Sequence, residues 1–193
     1  MFVMTMVAVS AFTYVGTNEH YLSSVFNIHD DFVSESNDVF DLLSEHPEIG
    51  DFKIMTIGGN FITAGQNNLK VAEILIDSNQ SAIALKNLVF KIDGPSTGFV
   101  KNMSLVNKNM KIDGVKVGES FEFKQMDYLV NPSSNAVFEV YIDVEENLLP
   151  GMRAKITIDK PSDLFVLAGG QPYSIYAYYP VNIKDLTIGG KRR

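Results

Sequence analysis

Few side chains in this sequence could support catalysis or bind a metal ion. Cysteine is absent, which excludes thiol nucleophiles and thiolate metal sites. The three histidines, His20, His29 and His46, lie in an acidic stretch that we predict to be helical, where His29 and Asp30 would point about 100° apart and could not converge on a metal. We therefore predict that the chain is not an enzyme and that it has no catalytic residue, no metal site and no cofactor.

One polar segment has the beginning of a calcium-binding loop. Asp77, Asn79 and Ser81 have the oxygen spacing with which such a loop opens. Ala82 and Leu88 stand where the loop would need its turn glycine and its bidentate glutamate. We interpret the segment as a polar connection between strands.

Two other groups of residues are candidates for binding or modification. Asn79 and Asn102 each begin an Asn-x-Ser pattern and are candidate glycosylation sites. If residues 173–179 form a strand, Tyr176 and Tyr178 share one face and are a candidate platform for a sugar ligand. Packing in the core or in a subunit interface is the alternative interpretation of these tyrosines.

The charges divide the chain into two parts. Residues 1–52 contain nine Asp and Glu but no Lys or Arg, so all 16 basic residues lie from Lys53 onward. The net charge is −7, and the basic residues at the C-terminus, Lys191–Arg193, are too few to bind a phosphate backbone. Nucleic acid is therefore excluded as a partner.

The most apolar segment of the chain is Met1–Val15, which is shorter than the roughly 20 residues that cross a bilayer. It lacks the positive region of a secretory signal, so we interpret it as part of the mature chain. Both a helix and a strand donated to a neighbouring sheet are compatible with its pattern. We expect it to form an assembly interface with the start of the following segment, through Met1, Phe2, Val3, Met6, Val7, Val9, Phe12, Tyr14, Val15, Leu22, Val25 and Phe26.

Residues 19–46 have the pattern of an amphipathic helix. Apolar side chains recur every three or four residues from Leu22 to Leu43, including Val39 and Phe40, and acidic residues occupy most other positions. Asn18 is a suitable N-cap, and Pro47 marks the end of the helix. We predict a first domain at residues 1–50 that is built from the apolar segment and this acidic helix.

From Phe52 onward, apolar residues alternate with polar ones and turn residues interrupt the pattern. Residues 138–144 and 152–158 alternate in this way, with a turn at residues 149–151 between them. If these two strands pair, their outward acidic residues would face outward basic residues. Lys111–Lys116 contains Asp-Gly and is expected to form a tight hairpin. The predicted fold is mainly β, with residues 51–193 forming an antiparallel β-sandwich head of immunoglobulin-like or jelly-roll type.

The order of these parts resembles the layout of type IV pilin-like and archaellin-like filament subunits. The resemblance rests on Met1–Val15, on the helical pattern from Leu22 to Leu43 and on the strands after Phe52. In that family the N-terminal helices form the filament core and the β heads face outward, with no cofactor.

The resemblance implies a structural subunit of an extracellular, self-assembling filament on the cell surface. The implied partners are copies of the same chain, with a membrane contact before assembly and surface glycans as further candidates. The alternative is a monomeric, surface-anchored β-sandwich that binds a ligand, as an adhesin, surface-layer or carbohydrate-binding domain does.

Overall fold

The structure is a computed structural model, and it describes residues 39–42, 49–94, 98–108, 110–173, 175 and 178–189. These residues form fifteen strands and one short 3-10 helix at Pro161–Asp163. The strands are β1 (Val39–Leu42), β2 (Ile49–Thr56), β3 (Phe61–Ile62), β4 (Leu69–Ser78), β5 (Ile83–Asp93), β6 (Val100–Asn107), β7 (Met110–Asp113), β8 (Val115–Val117), β9 (Ser120–Phe123), β10 (Tyr128–Val130), β11 (Ser134–Val144), β12 (Arg153–Ile158), β13 (Leu164–Ala168), β14 (Gln171–Tyr173) and β15 (Val181–Ile188).

The strands belong to two sheets. The six-stranded sheet has the order β1-β2-β4-β11-β6-β7. The nine-stranded sheet has the order β14-β13-β5-β12-β15-β3, with β9 and β10 paired to β5 and β8 paired to β9. Every pairing is antiparallel except that of β15 with β3. The chain is thus mainly β, as predicted, and its antiparallel and mixed sheets are consistent with a β-sandwich.

Alternation of apolar and polar residues positions the core. In β11, Phe138, Val140, Ile142 and Val144 are all buried, and the residues between them are half-exposed. Buried residues of both sheets belong to one hydrophobic cluster, whose largest side chains are Phe52, Phe90, Phe99, Phe121, Phe123 and Phe138. Burial of the inner side chains leaves one outer face on each sheet for contacts with other molecules.

β11 and β12, whose pairing would have matched acidic with basic residues, do not pair with each other. The two strands lie in different sheets, because the turn at residues 145–152 carries the chain from one sheet to the other. The charged residues expected to face each other have other partners: Glu139 pairs with Lys70, and Lys155 pairs with Asp185. Period-two alternation identifies a strand and its inner face, but it does not specify the neighbouring strand.

The predicted hairpin at Lys111–Lys116 is also wrong. β7 pairs with β6 in the six-stranded sheet, and β8 pairs with β9 in the nine-stranded sheet, so Gly114 lies where the chain passes between sheets. A Cβ atom on Gly114 would lie 2.8 Å from Cζ of Phe123. Gly114 does not have a positive φ, so glycine is needed here for close packing and not for a turn conformation.

The predicted N-terminal helix is wrong where it overlaps described residues. Val39–Leu42 forms β1 and pairs with β2, with Val39 opposite Met55. Pairing with a strand that is distant in sequence outweighs the local helical pattern here. The rest of the predicted helix lies outside the described residues. The six-stranded sheet therefore begins at Val39, before residue 51, and a separate domain at residues 1–50 stays a prediction.

Candidate interaction surfaces

The whole of the predicted assembly interface lies outside the described residues. This holds for all twelve of its members, from Met1 to Phe26, and also for Tyr176. Their roles stay predictions. The described residues include the remaining predicted sites and form two further surfaces that were not predicted from the sequence.

After Tyr173, the described residues of the predicted strand at residues 173–179 do not belong to a strand. β14 ends at Tyr173, and Tyr178 lies in the connection to β15 with 75% of its surface exposed. Tyr179 instead packs inward and donates a hydrogen bond from its hydroxyl to the carbonyl oxygen of Ile175, at 3.2 Å. Burial, together with the nearby Asp163, raises the pKa of Tyr179. Tyr178 is therefore the described tyrosine of this group that a ligand could reach most easily.

Both candidate glycosylation sites are exposed. Asn79 lies in the turn between β4 and β5, where its carbonyl oxygen accepts a hydrogen bond from the Ser133 amide at 2.9 Å. Of the segment interpreted as a polar connection, Asp77 and Ser78 end β4, and residues 79–82 connect β4 to β5. Asn102 lies on β6, and its Nδ2 donates to Oδ2 of Asp143 at 3.0 Å. Whether either asparagine carries a glycan stays a prediction.

The sequence also contains a Gly-x-Ser-x-Gly pattern at residues 94–98, the pattern of a hydrolase nucleophile elbow. Such an elbow joins a strand to a helix, which exposes the serine at the top of the turn. In this chain the pattern lies between β5 and β6, which begins at Val100. Among the described residues, the element that follows the pattern is therefore a strand and not the helix of an elbow.

Five apolar side chains lie next to each other on the outer face of the nine-stranded sheet. Register places Leu129 of β10 opposite Ala84 of β5, Ala84 opposite Leu167 of β13, and Leu167 opposite Pro172 of β14. Phe165 precedes Leu167 by two residues and lies on the same face. We call Ala84, Leu129, Phe165, Leu167 and Pro172 the outer apolar patch.

The outer apolar patch faces away from the core. Ile83, Leu85 and Val166, which flank its members in sequence, are buried with at most 1% of their surface exposed. Leu129 is 56% exposed and Phe165 36%. A sequence signal for this surface was present, since β13 is apolar at every position from Leu164 to Ala168, a pattern typical of strands that are covered on both faces.

The rest of this outer face carries paired charges. Lys91 lies 3.4 Å from Asp93 and 3.7 Å from Asp159, and Lys155 lies 3.7 Å from Asp185. Exposed pairs of this kind contribute little to stability. These charges keep their part of the face well hydrated. The outer apolar patch is therefore the part of the face that can most easily lose its water when another molecule binds.

The outer face of the six-stranded sheet carries a network around Lys70. Its Nζ lies 2.5 Å from Oε1 of both Glu73 and Glu139, and the Tyr141 hydroxyl donates to the other oxygen of Glu139 at 3.0 Å. Burial alone would lower the pKa of Lys70, but its hydrogen bonds to the two glutamates raise it. The hydrogen bond from Lys70 lowers the pKa of Glu139, and burial raises the pKa of Tyr141. The network holds the Tyr141 side chain in one position.

A groove of about 290 Å³ lies beside this network, and we call it the polar groove. It is lined by residues of β6, β7 and β11, by the residue before β4 and by the residue after β7: Asn68, Asn102, Met103, Ser104, Lys111, Asp113, Gly114, Tyr141, Ile142 and Asp143. Asp143 is fixed at one end, because its Oδ1 accepts from the Asn68 amide at 2.8 Å while Oδ2 accepts from Asn102. Both hydrogen bonds lower the pKa of Asp143, and the one from the backbone amide of Asn68 has the larger effect.

We predict that Asp143→Asn destabilises the chain in a pH-dependent way. The folded pKa of Asp143 is lowered, so its stabilising effect is complete above its unfolded pKa of about 3.9 and is lost as the pH falls through the folded value. The expected loss near neutral pH is about 1 kcal/mol, because the carboxylate is partly exposed.

Urea unfolding near pH 7 and near pH 3 measures this effect. The difference between the variant and the original chain should shrink at the lower pH. Asp113→Asn, at a side chain that is 77% exposed, controls for the loss of a negative charge in the same groove. A difference that is the same at both pH values would show that the ionised form of Asp143 is not what stabilises the fold.

No protein family model and no curated protein matches the chain. Within the described ranges, no helix is both long and apolar enough to cross a membrane. The same residues contain no cluster of three or more acidic or histidine side chains that could hold a metal ion.

Proposed function

We propose that the chain is a structural subunit of an extracellular filament that assembles from copies of itself at the cell surface. The observation that carries this proposal is the outer apolar patch. A filament subunit needs two different surfaces that fit each other, because head-to-tail contacts continue into an open array. Met1–Val15 is the first apolar surface, and the outer apolar patch supplies the second.

The proposed contact places Met1–Val15 of one copy on the outer apolar patch of the next. Neither surface contains a charged side chain, so their contact buries no unpaired charge. Association would gain about 25 cal/mol for each Å² of apolar surface buried.

In this proposal the head is an immunoglobulin-like or jelly-roll sandwich, and residues 19–38 form an acidic helix that connects it to the assembly segment. Met1–Val15 could reach its neighbour as a helix or as a donated strand, and in both forms its backbone N–H and C=O groups would be hydrogen-bonded. Contact with a membrane before assembly would protect the same apolar side chains from water.

Substitution of the exposed leucine in the outer apolar patch tests the proposal. Leu129→Asp is expected to raise the lowest concentration at which filaments form by roughly tenfold or more, since a carboxylate would lose water in the contact. Leu149→Asp is the matched control, because Leu149 is 69% exposed and lies in the turn between β11 and β12, outside the patch.

Negative-stain microscopy and sedimentation of the full-length chain measure assembly, and circular dichroism checks that each variant folds. The proposal requires that the original chain and Leu149→Asp form filaments. Two results would overturn it: an original chain that stays monomeric at every concentration, or a Leu129→Asp variant that polymerises like the control.

A monomeric, surface-anchored binding module is the second candidate function. The observation that favours it is the exposure of Tyr178, because an aromatic ring in water is suited to stacking on a sugar. A glycan array would then give a signal with the original chain that Tyr178→Ala loses. Absence of a signal on every glycan would count against this function.

A further inference from the structure

We infer that the polar groove on the six-stranded sheet is a binding site for a neutral carbohydrate. This inference does not depend on the proposed filament, since a groove on the outer face of a head domain could bind a glycan in a monomer or in a polymer. It concerns a site different from Tyr178, which lies between β14 and β15 of the other sheet.

The first argument is that the walls of the groove are already positioned. Asp143 is held by the Asn68 amide and by Asn102, and Tyr141 is held by its hydrogen bond to Glu139. A ligand would meet these groups without first having to order them. Sites that are preorganised in this way lose less conformational entropy on binding.

The second argument is that the groove contains polar atoms with unused hydrogen-bonding capacity. Ser104 is 93% buried, and its hydroxyl makes no side-chain hydrogen bond to the described residues. Its oxygen is still accessible to solvent from the groove. Asn102 donates from Nδ2, which leaves its carbonyl oxygen as an acceptor. Lys111, at the rim, has an exposed ammonium group that can donate further bonds.

The third argument concerns charge. The two carboxylates of the groove, Asp113 and Asp143, are balanced by lysines, because Lys111 lies 3.2 Å from Asp113 and both Lys101 and Lys111 contribute to the lowered pKa of Asp143. A divalent cation would need more carboxylate oxygens than these two residues supply, and a phosphate would need a site with net positive charge. Balanced charge with many donors and acceptors favours a neutral molecule rich in hydroxyl groups.

The fourth argument concerns size and shape. A volume of about 290 Å³ lies at the lower end of the range for small-molecule sites, which suits one sugar unit at the end of a glycan. The Tyr141 ring forms part of the wall, where it could pack against the apolar C–H face of a sugar ring. Polar atoms and an aromatic ring in one groove match the mixed surface of a carbohydrate.

Saturation-transfer NMR on the full-length chain tests the inference, because the method works for monomers and for large assemblies alike. The probes are methyl glucoside, methyl galactoside and N-acetylglucosamine at millimolar concentration, with a glycan array to extend the set. At least one of these sugars should receive saturation from the protein. Inorganic phosphate and calcium chloride, each added as a competitor, should leave the signal unchanged.

Two variants assign the binding to the polar groove. Ser104→Val would fill the groove with methyl groups, and Lys111→Ala would remove a donor at an exposed position without a threat to the fold. Each should weaken binding about tenfold, the loss expected for one or two hydrogen bonds. Ser120→Val on β9 of the other sheet and Lys160→Ala after β12 are the matched controls.

Several results would overturn the inference. These are no saturation transfer to any sugar, displacement of the sugar by phosphate or calcium, and equal binding by Lys111→Ala and Lys160→Ala. Loss of binding in Tyr178→Ala but not in Lys111→Ala would also overturn it, and would place the sugar on the connection between β14 and β15. Circular dichroism of each variant separates loss of binding from loss of fold.

Discussion

Deletion of residues 1–16 is expected to abolish filament formation and to leave a folded monomer. The deletion removes nine of the twelve predicted interface residues and with them most of the apolar surface that would drive association. It touches none of the buried residues that form the core between Phe52 and Ile188. Sedimentation velocity and negative-stain microscopy would measure assembly, and thermal unfolding would measure the stability of the head.

This experiment also separates the two surfaces of the proposed contact. If both surfaces are needed, neither the deletion variant nor Leu129→Asp forms filaments by itself, but the two variants bind each other when they are mixed. Leu129→Asp retains Met1–Val15, which should bind to the intact patch of the deletion variant and give small complexes that cannot grow into filaments. Continued polymerisation of the deletion variant would contradict the proposed role of the segment, and so would an unfolded head, which would make the segment part of the core.

Gly114→Ala is expected to destabilise the head by about 2–3 kcal/mol, a large fraction of the stability of a typical domain. The added methyl group would lie 2.8 Å from Cζ and 3.1 Å from Cε2 of Phe123. The Phe123 ring cannot easily move away, because it is 1% exposed and makes an edge-to-face contact with Phe90 at 6.0 Å. Equilibrium unfolding in urea would measure the loss.

Gly59→Ala is the matched control for this substitution. Nothing lies within 4 Å of a Cβ atom built on Gly59, and this residue does not have a positive φ. The control should therefore change the unfolding free energy by about 0.5 kcal/mol or less. Equal effects of the two substitutions would contradict the view that Gly114 is required by the approach of the Phe123 ring.

Binding to the polar groove could be affected by the same glycine, because Gly114 also lines that groove. The backbone amide of Gly114 donates to the carbonyl oxygen of Met103 at 2.8 Å and so continues the pairing of β7 with β6 by one residue. A shift of the backbone at Gly114 would move Asp113, which precedes it in the groove wall. Stability and sugar binding should therefore both fall in Gly114→Ala.

The strands themselves were predictable from the sequence. Alternation at Phe138–Val144 identifies both β11 and its buried face, because side chains in a strand point to opposite sides in turn. The same reasoning identified β12 within residues 152–158. It failed at Val39 and Phe40, where a spacing that also fits a helix belongs to a strand that gains its hydrogen bonds from β2.

The pairing of the strands was not predictable in the same way. Residues that follow each other along the chain, such as those of β11 and β12 or of β7 and β8, belong to different sheets. The partner of a strand depends on which faces must be buried together, and this involves residues far apart in sequence. The acid-base match that would follow from pairing β11 with β12 is therefore not formed, and Glu139 pairs with Lys70 while Lys155 pairs with Asp185.

By itself, the sequence determined that this chain is mainly β and where its inward side chains lie, because alternation and turn residues are local properties. It also determined the separation of an apolar, base-free N-terminal segment from the part that contains every lysine and arginine. Only the tertiary structure decided the two surfaces on which the proposals rest. The outer apolar patch combines β5, β10, β13 and β14, and the polar groove combines residues 68, 102–104, 111, 113, 114 and 141–143. Such surfaces depend on strand register, which is settled when distant strands pair around a shared core.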